Sequence, residues 1–246
     1  MDNPIYVALS REMILRRQMD IVANNMANAD TPAFKVENLI VKTDAQPMND
    51  PNGGPDVINY ALDVALGRNF GQGALAQTGS TLDMAIEGDG FFKVTTAAGE
   101  RYTRDGRFSL DSQGRVVTKQ GQPVQGEGGD IVVDPVKGQI MVAHDGTISQ
   151  GTERLGKIAV VSFTDNAVLS KEGDGLYANK SNLAAGPAQD VVVDQGMIEG
   201  SNVQPILQIT DMIEVSRAYE RISKMIDQTT ELDRQAISRL GRVVNS

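Results

Sequence analysis

Helical periodicity at both ends of the chain, with a long stretch of a different period between, is the feature that most restricts its fold. From Asn3 to about Asn28 the apolar residues Ile5, Ala8, Leu15, Met19, Val22 and Met26 recur at steps of three, four or seven. That is the stripe of an amphipathic helix. Val7, Ile14 and Ile21 add a second row beside it, and Glu12 interrupts the first. Asn3 and Pro4 suit an N-cap and first turn, and Thr31-Pro32 ends the segment. After Pro205 a second register runs through Met212, Val215, Tyr219, Ile222 and Ile226, and on through Ile237, Leu240 and Val244. Arg217, Glu220, Arg221, Lys224, Asp227, Glu231, Asp233 and Arg234 supply mixed charge on its other faces. At about 1.5 Å per residue, a helix of about 40 residues reaches about 60 Å, more than a compact globule of this size covers. Something beyond the chain itself must bury the remainder.

Between about Thr81 and Glu199 the pattern turns to short β-type runs. They are Leu82 to Ile86, Phe91 to Val94, Phe108 to Leu110, Val116 to Thr118, Ile131 to Val133, Ile140 to Val142, Ile158 to Phe163 and Val191 to Val193. Turn-formers punctuate them: Gly88-Asp89-Gly90, Asp105-Gly106, Gln113-Gly114, Gln120-Gly121, Asp145-Gly146 and Gly173-Asp174-Gly175. Residues 38–80, with Pro47, Pro51 and Asn52-Gly53-Gly54-Pro55, read as an extended connector. The fold expected is α+β. Long N- and C-terminal α-helices form a coiled-coil-like helical part with an inserted antiparallel β domain. Its segments are 1–37 (helix and turn), 38–80 (connector), 81–199 (β domain) and 200–246 (a helix pairing with the first).

Candidate chemistry is sparse. The formal charge of −9 repels phosphate backbones and anionic lipid, so nucleic acid is not an expected partner. The absence of cysteine removes disulfides, thiolate nucleophiles and cysteine metal sites. The single histidine, His144, adjoins the Asp145-Gly146 turn, where a solvated residue outweighs a base or ligand. Gly71-x-Gly73 and Gly126-Glu127-Gly128-Gly129 lack the rest of a nucleotide fingerprint, and Asp111-Ser112-Gln113-Gly114 lacks the ligands of a calcium loop. With no tryptophan, a sugar- or base-stacking platform is not expected. Carboxylates remain, and Glu87 beside Ile86 is the best candidate for a raised pKa, although strand alternation could equally turn it to solvent. No catalytic, metal or cofactor site is expected. No Sec-type signal is visible, and no apolar run approaches the roughly 20 residues that span a bilayer.

Three motifs carry a resemblance. Ala23-Asn24-Asn25-Met26-Ala27-Asn28-Ala29-Asp30-Thr31-Pro32-Ala33-Phe34-Lys35 resembles the N-terminal signature of flagellar rod and hook proteins. Ala85-Ile86-Glu87-Gly88-Asp89-Gly90-Phe91-Phe92 and Tyr102-Thr103-Arg104-Asp105-Gly106-Arg107-Phe108 are similar to that family's central motifs. Glu199-Gly200-Ser201-Asn202-Val203, then Met212-Ile213 and Arg217-Ala218-Tyr219-Glu220, resemble its C-terminal signature. The resemblance implies a structural axial subunit, with a proximal-rod member favoured over a distal-rod one. Its partners would be other rod subunits, further copies of itself and the flagellar type III export apparatus, with no membrane insertion. The expected assembly residues are Ile5, Leu15, Met19, Val22, Asn24, Asn25, Met26, Asn28, Ser201, Asn202, Val203, Met212, Tyr219, Ile222 and Ile226. Ala33 stands where the family usually has glycine. Alanine at positive φ would be strained by roughly 1 kcal/mol, so ordinary right-handed geometry is expected there. A periplasmic β-rich module that binds or hydrolyses peptidoglycan is the alternative from another class.

Overall fold

The computed structural model describes residues 3–47, 57–134, 136–181 and 183–243. The chain divides into two compact units. Unit 1 comprises residues 1–27, 37–69 and 204–246, and unit 2 comprises 28–36 and 70–203.

Unit 1 holds the two α-helices, α1 (Asn3–Ala27) and α2 (Pro205–Val243), and a long antiparallel hairpin of β1 (Glu37–Pro47) and β2 (Val57–Arg68). Ala8, Ile14, Leu15, Ile21 and Val22 bury the inner face of α1, and Val215 and Gln208 that of α2. Two polar contacts fix the alignment: Asn25 Nδ2 donates to Gln208 Oε1 at 2.9 Å, and Tyr219 lies beside Glu12, whose carboxylate raises the pKa of the phenol. Residues early in α1 therefore lie level with residues late along α2, and the helices run antiparallel. Because α2 has 39 residues and α1 has 25, roughly a dozen residues of α2 extend past the start of α1 at 1.5 Å each. Val244 is outside the described residues, as are the side-chain surroundings of Ile5, Ile237 and Leu240.

This corrects the expected architecture. The terminal unit is not a coiled-coil-like helical part carrying one β insert: β1 and β2 share a compact unit with the two helices, and the rest of the molecule is a β-rich body of many short strands. The reason is visible in residues first read as a connector. Ile58, Tyr60, Leu62, Val64 and Leu66 alternate strictly, which is the two-residue period of a strand, and β1 pairs along them with one register shift between Ile40 and Val41. The prolines and glycines that suggested a connector cluster mainly between the two strands.

Unit 2 begins with the turn after α1. Ala33 has φ of 59°, against the expectation of right-handed geometry. Its N–H donates to Glu199 O at 2.9 Å, and Phe34 on one side bonds Thr31 O and on the other accepts from Asn202 N. Bonds on both sides of the residue outweigh a left-handed cost of roughly 1–2 kcal/mol.

Beyond Phe70 come β3 (Leu75–Gln77), β4 (Met84–Glu87), β5 (Phe91–Thr96) and β6 (Gly99–Thr103). The largest sheet has six antiparallel strands in the order Leu169–Gly173, Leu176–Asn179, β6, β5, Val160–Ser162 and Gly186–Pro187. Late strands close early ones: Val192–Gln195 pairs with β4, and Met197–Glu199 with β3. The main apolar core gathers Met84, Ile86, Phe92, Val94, Phe108, Val116, Val124, Ile131, Val133, Ile148, Ile158 and Val193. A second cluster of Phe91, Tyr102, Leu169 and Tyr177 takes in Phe70 and Phe163, with edge-to-face ring pairs 4.9–6.1 Å apart. This geometry favours aromatic pairs through their quadrupoles. Ile131 to Val133, expected as a strand, is held by one isolated bridge between Val132 and Arg115.

Candidate assembly interface

The expected assembly residues separate by environment. Leu15, Val22, Asn25 and Val203 are buried, and Met19, Met26, Asn28, Ser201, Asn202, Met212, Tyr219, Ile222 and Ile226 are partly buried. Asn24 is exposed, and the side chain of Ile5 is outside the described residues. Buried Asn25 acts as a surrogate strand partner. Its Nδ2 donates to Glu37 O at 2.8 Å and its Oδ1 accepts from Glu37 N at 3.0 Å, besides the bond to Gln208. Asn202 does comparable work within unit 2, accepting from Val36 N at 2.7 Å and donating to Gly71 O at 2.9 Å. These amides are fixed by their own chain.

The apolar groups left facing solvent are different ones. On α1 they include Tyr6, Leu9 and Met13, and on α2 Ile206, Ile209 and Ile213, with Leu207 beside them and Met225 and Leu232 farther along. Both rows follow i, i+3, i+7, so each lies on one helix face. Helical periodicity marked the helices but not these outward rows, because it finds the broader stripe first. The start of each row was nonetheless legible: neither Pro4 to Ser10 nor Pro205 to Thr210 carries a charge. A cleft of about 250 Å³ in unit 1 lies beside the helices and hairpin. Ile21, Val22, Leu39 and Val215 line it with the polar Gln18, Glu37, Asp211 and Glu214.

A second arrangement was not foreseen. In unit 2, Lys35 Nζ meets Glu199 Oε1 at 2.6 Å, with both side chains fully buried, and also donates to Gly71 O at 2.8 Å. Arg104 Nη1 reaches Glu199 Oε2 at 3.3 Å, and its fork continues to the carbonyls of Ile86 and Gly88. The guanidinium lies 5.5 Å from the centre of the Phe91 ring, and Gly73 N donates to Glu199 Oε1 at 2.8 Å. Burial pushes the pKa of both Lys35 and Arg104 below the ordinary range, and Glu199 opposes that as their nearest anion. Arg104 Nε is buried with no hydrogen-bond partner.

The candidates for chemistry do not converge. Glu87 is the exposed end of β4, and His144 is largely exposed with Nδ1 3.2 Å from Asp194. Among the described residues no group of three or more histidine or acidic side chains could hold a metal ion.

Paired terminal helices, a β-rich body and a buried ion cluster that ties together three distant signatures define a structural subunit. Family models agree with this. Residues 5–35 match a flagella basal body rod protein model, residues 85–150 the flagellar hook protein FlgE/F/G D1 domain, and residues 194–239 the flagellar basal body rod FlgEFG protein C-terminal model. Each matched segment contributes one member of the cluster: Lys35, Arg104 and Glu199. The chain belongs to the flagellar basal-body rod protein family. It is 48% identical over 244 residues to the flagellar basal-body rod protein FlgF of Caulobacter vibrioides, covering 99% of this chain and all of the relative. FlgF of Mesorhizobium japonicum is 33% identical, over 98% of this chain and 99% of its own, and FlgF of Salmonella typhimurium is 33% identical, over 96% and 97%.

Proposed function

We propose that this chain is a structural subunit of the proximal flagellar rod that associates with further copies and with the rod subunits FlgB, FlgC and FlgG through its terminal helices. Delivery by the flagellar type III export apparatus, without a cleaved Sec signal, to a rod spanning the periplasm belongs to the same reading. So does the absence of catalysis. The observation that carries it is the pair of outward apolar rows on α1 and α2, which the single chain leaves in solvent. Burial of apolar surface drives association at about 25 cal/mol per Å², and contacts between unlike surfaces of identical copies build open assemblies instead of closed dimers.

A distal, FlgG-like position is the second reading, since FlgG of Bacillus subtilis is 29% identical over 95% of this chain. The 48% identity to a FlgF favours the proximal position. Replacing Leu9 and Ile209 with Asp tests the assembly surface. Both side chains are roughly half exposed, so folding should survive with less than about 1 kcal/mol of change, while incorporation into purified basal bodies should fall to background. Normal incorporation of that double variant would remove the helices' outer faces from the assembly.

A further inference from the structure

We propose that residues 197–203 form a latch, keyed by Glu199, which docks on an already complete β core and can leave it as a unit. Unit 2 then has a second, latch-open form. The case begins with where the apolar core ends. Its last member along the chain is Val193, and no residue of 197–203 belongs to either apolar cluster. Val203 at its end is its one buried apolar side chain, and the rest of the segment is held by a short ladder and polar contacts. Met197–Glu199 pairs with β3, Gly200 N donates to Ala74 O at 2.8 Å, Glu199 O accepts from Ala33 N, and Asn202 bonds Phe34, Val36 and Gly71. Segments with few apolar contacts open at lower free energy than the core they rest on.

The strongest single hold is ionic. Glu199 sits between Lys35 and Arg104 with no solvent exposure. Without that carboxylate the pocket would contain two cations in a dry site, which is costlier than letting water in. Arg104 does not depend on the latch for its position, because the Ile86 and Gly88 carbonyls and the Phe91 ring hold it from the core side. The docked form also leaves Arg104 Nε without a partner, a cost that opening to water removes. Backbone meets backbone at the seat: a Cβ on Gly73 would come within 2.1 Å of Gly200 O. Charge and fit are thus two separable holds on one segment.

Hydrogen exchange on the full-length chain distinguishes the two forms. In Glu199→Gln, the amides of Ala33, Gly73, Gly200 and Asn202 should exchange about 100-fold faster or more, while those of Val116, Val124 and Ile158 keep their rates. Gly73→Ala, which leaves the charges intact, should accelerate the same four amides. Lys35→Met combined with Glu199→Gln should restore part of the protection, about tenfold, because only one cation then remains. Equal acceleration of latch and core amides in these variants would make the segment an integral part of the core and overturn the latch. Unchanged exchange in Glu199→Gln would overturn the ionic key.

Discussion

Alanine at position 106 is expected to leave unit 2 unfolded. A Cβ built on Gly106 would stand 1.6 Å from the Met84 carbonyl oxygen and 3.2 Å from the Phe92 ring. Neither neighbour can yield. Met84 N already donates to Gly106 O at 2.9 Å, Met84 and Phe92 are fully buried, and the Phe92 ring packs edge-on against Phe108 at 5.1 Å. Backbone would have to part from backbone at the centre of the main core. The cost should exceed about 4 kcal/mol, a large share of the stability of a domain of this size. Gly121→Ala is the matched control. Gly121 has φ of 82° but open space where a Cβ would go, so only the conformational cost of about 1 kcal/mol applies. Urea unfolding followed by tyrosine fluorescence, with Tyr6, Tyr60 and Tyr219 replaced by phenylalanine so that Tyr102 and Tyr177 of unit 2 report, should show a normal transition for the control and none for Gly106→Ala. Similar midpoints for the two proteins would mean that this close approach does not exist in solution.

The second large effect lies in unit 1. Leu15 is only 3% exposed on the inner face of α1, and Leu15→Asp would put a carboxylate in place of an aliphatic side chain there, with Arg217 and Arg221 lining the same cleft. Desolvating the carboxylate and losing the leucine's packing together cost several kcal/mol, which an arginine at the cleft only partly offsets, and an isolated helix of this length cannot supply the difference. The pairing of α1 with α2 should fail, with loss of far-ultraviolet helical signal and of basal-body incorporation. The unfolding transition of unit 2 should remain, because Leu15 belongs to the other unit. A full helical signal together with normal incorporation would contradict the buried placement. Ile222→Asp, at a partly buried position on α2, should act in the same direction but more weakly.

The helices were legible because an amphipathic stripe needs only local residues to be seen. Strands such as β4 and β5 were legible from alternation bounded by glycine turns. The hairpin of β1 and β2 is less legible: Ile58 to Leu66 alternate, but the prolines and glycines at 47–55 are the louder local signal and point to a connector. Ala33 shows a different limit: its left-handed φ is imposed by Glu199 and Asn202, more than 160 positions away, and no local preference reports that. The ion cluster was hidden for the same reason. Lys35, Arg104 and Glu199 each sat inside a motif that had been singled out, but only the fold brings three separate motifs to one carboxylate.

On the export route proposed above, in which the chain would travel end-on through a narrow passage, the closing of early strands by late ones also sets an order of events. With the N-terminus leading, β3 and β4 emerge long before Met197–Glu199 and Val192–Gln195, their partners. With the C-terminus leading, Glu199 waits for Lys35 and Arg104. Unit 1 has the same property, because α1 and α2 stand at opposite ends of the sequence. Neither unit can finish folding until nearly the whole chain has come through. On that route the topology would keep a partly delivered subunit threadable, with its final form acquired only once nearly the whole chain is through.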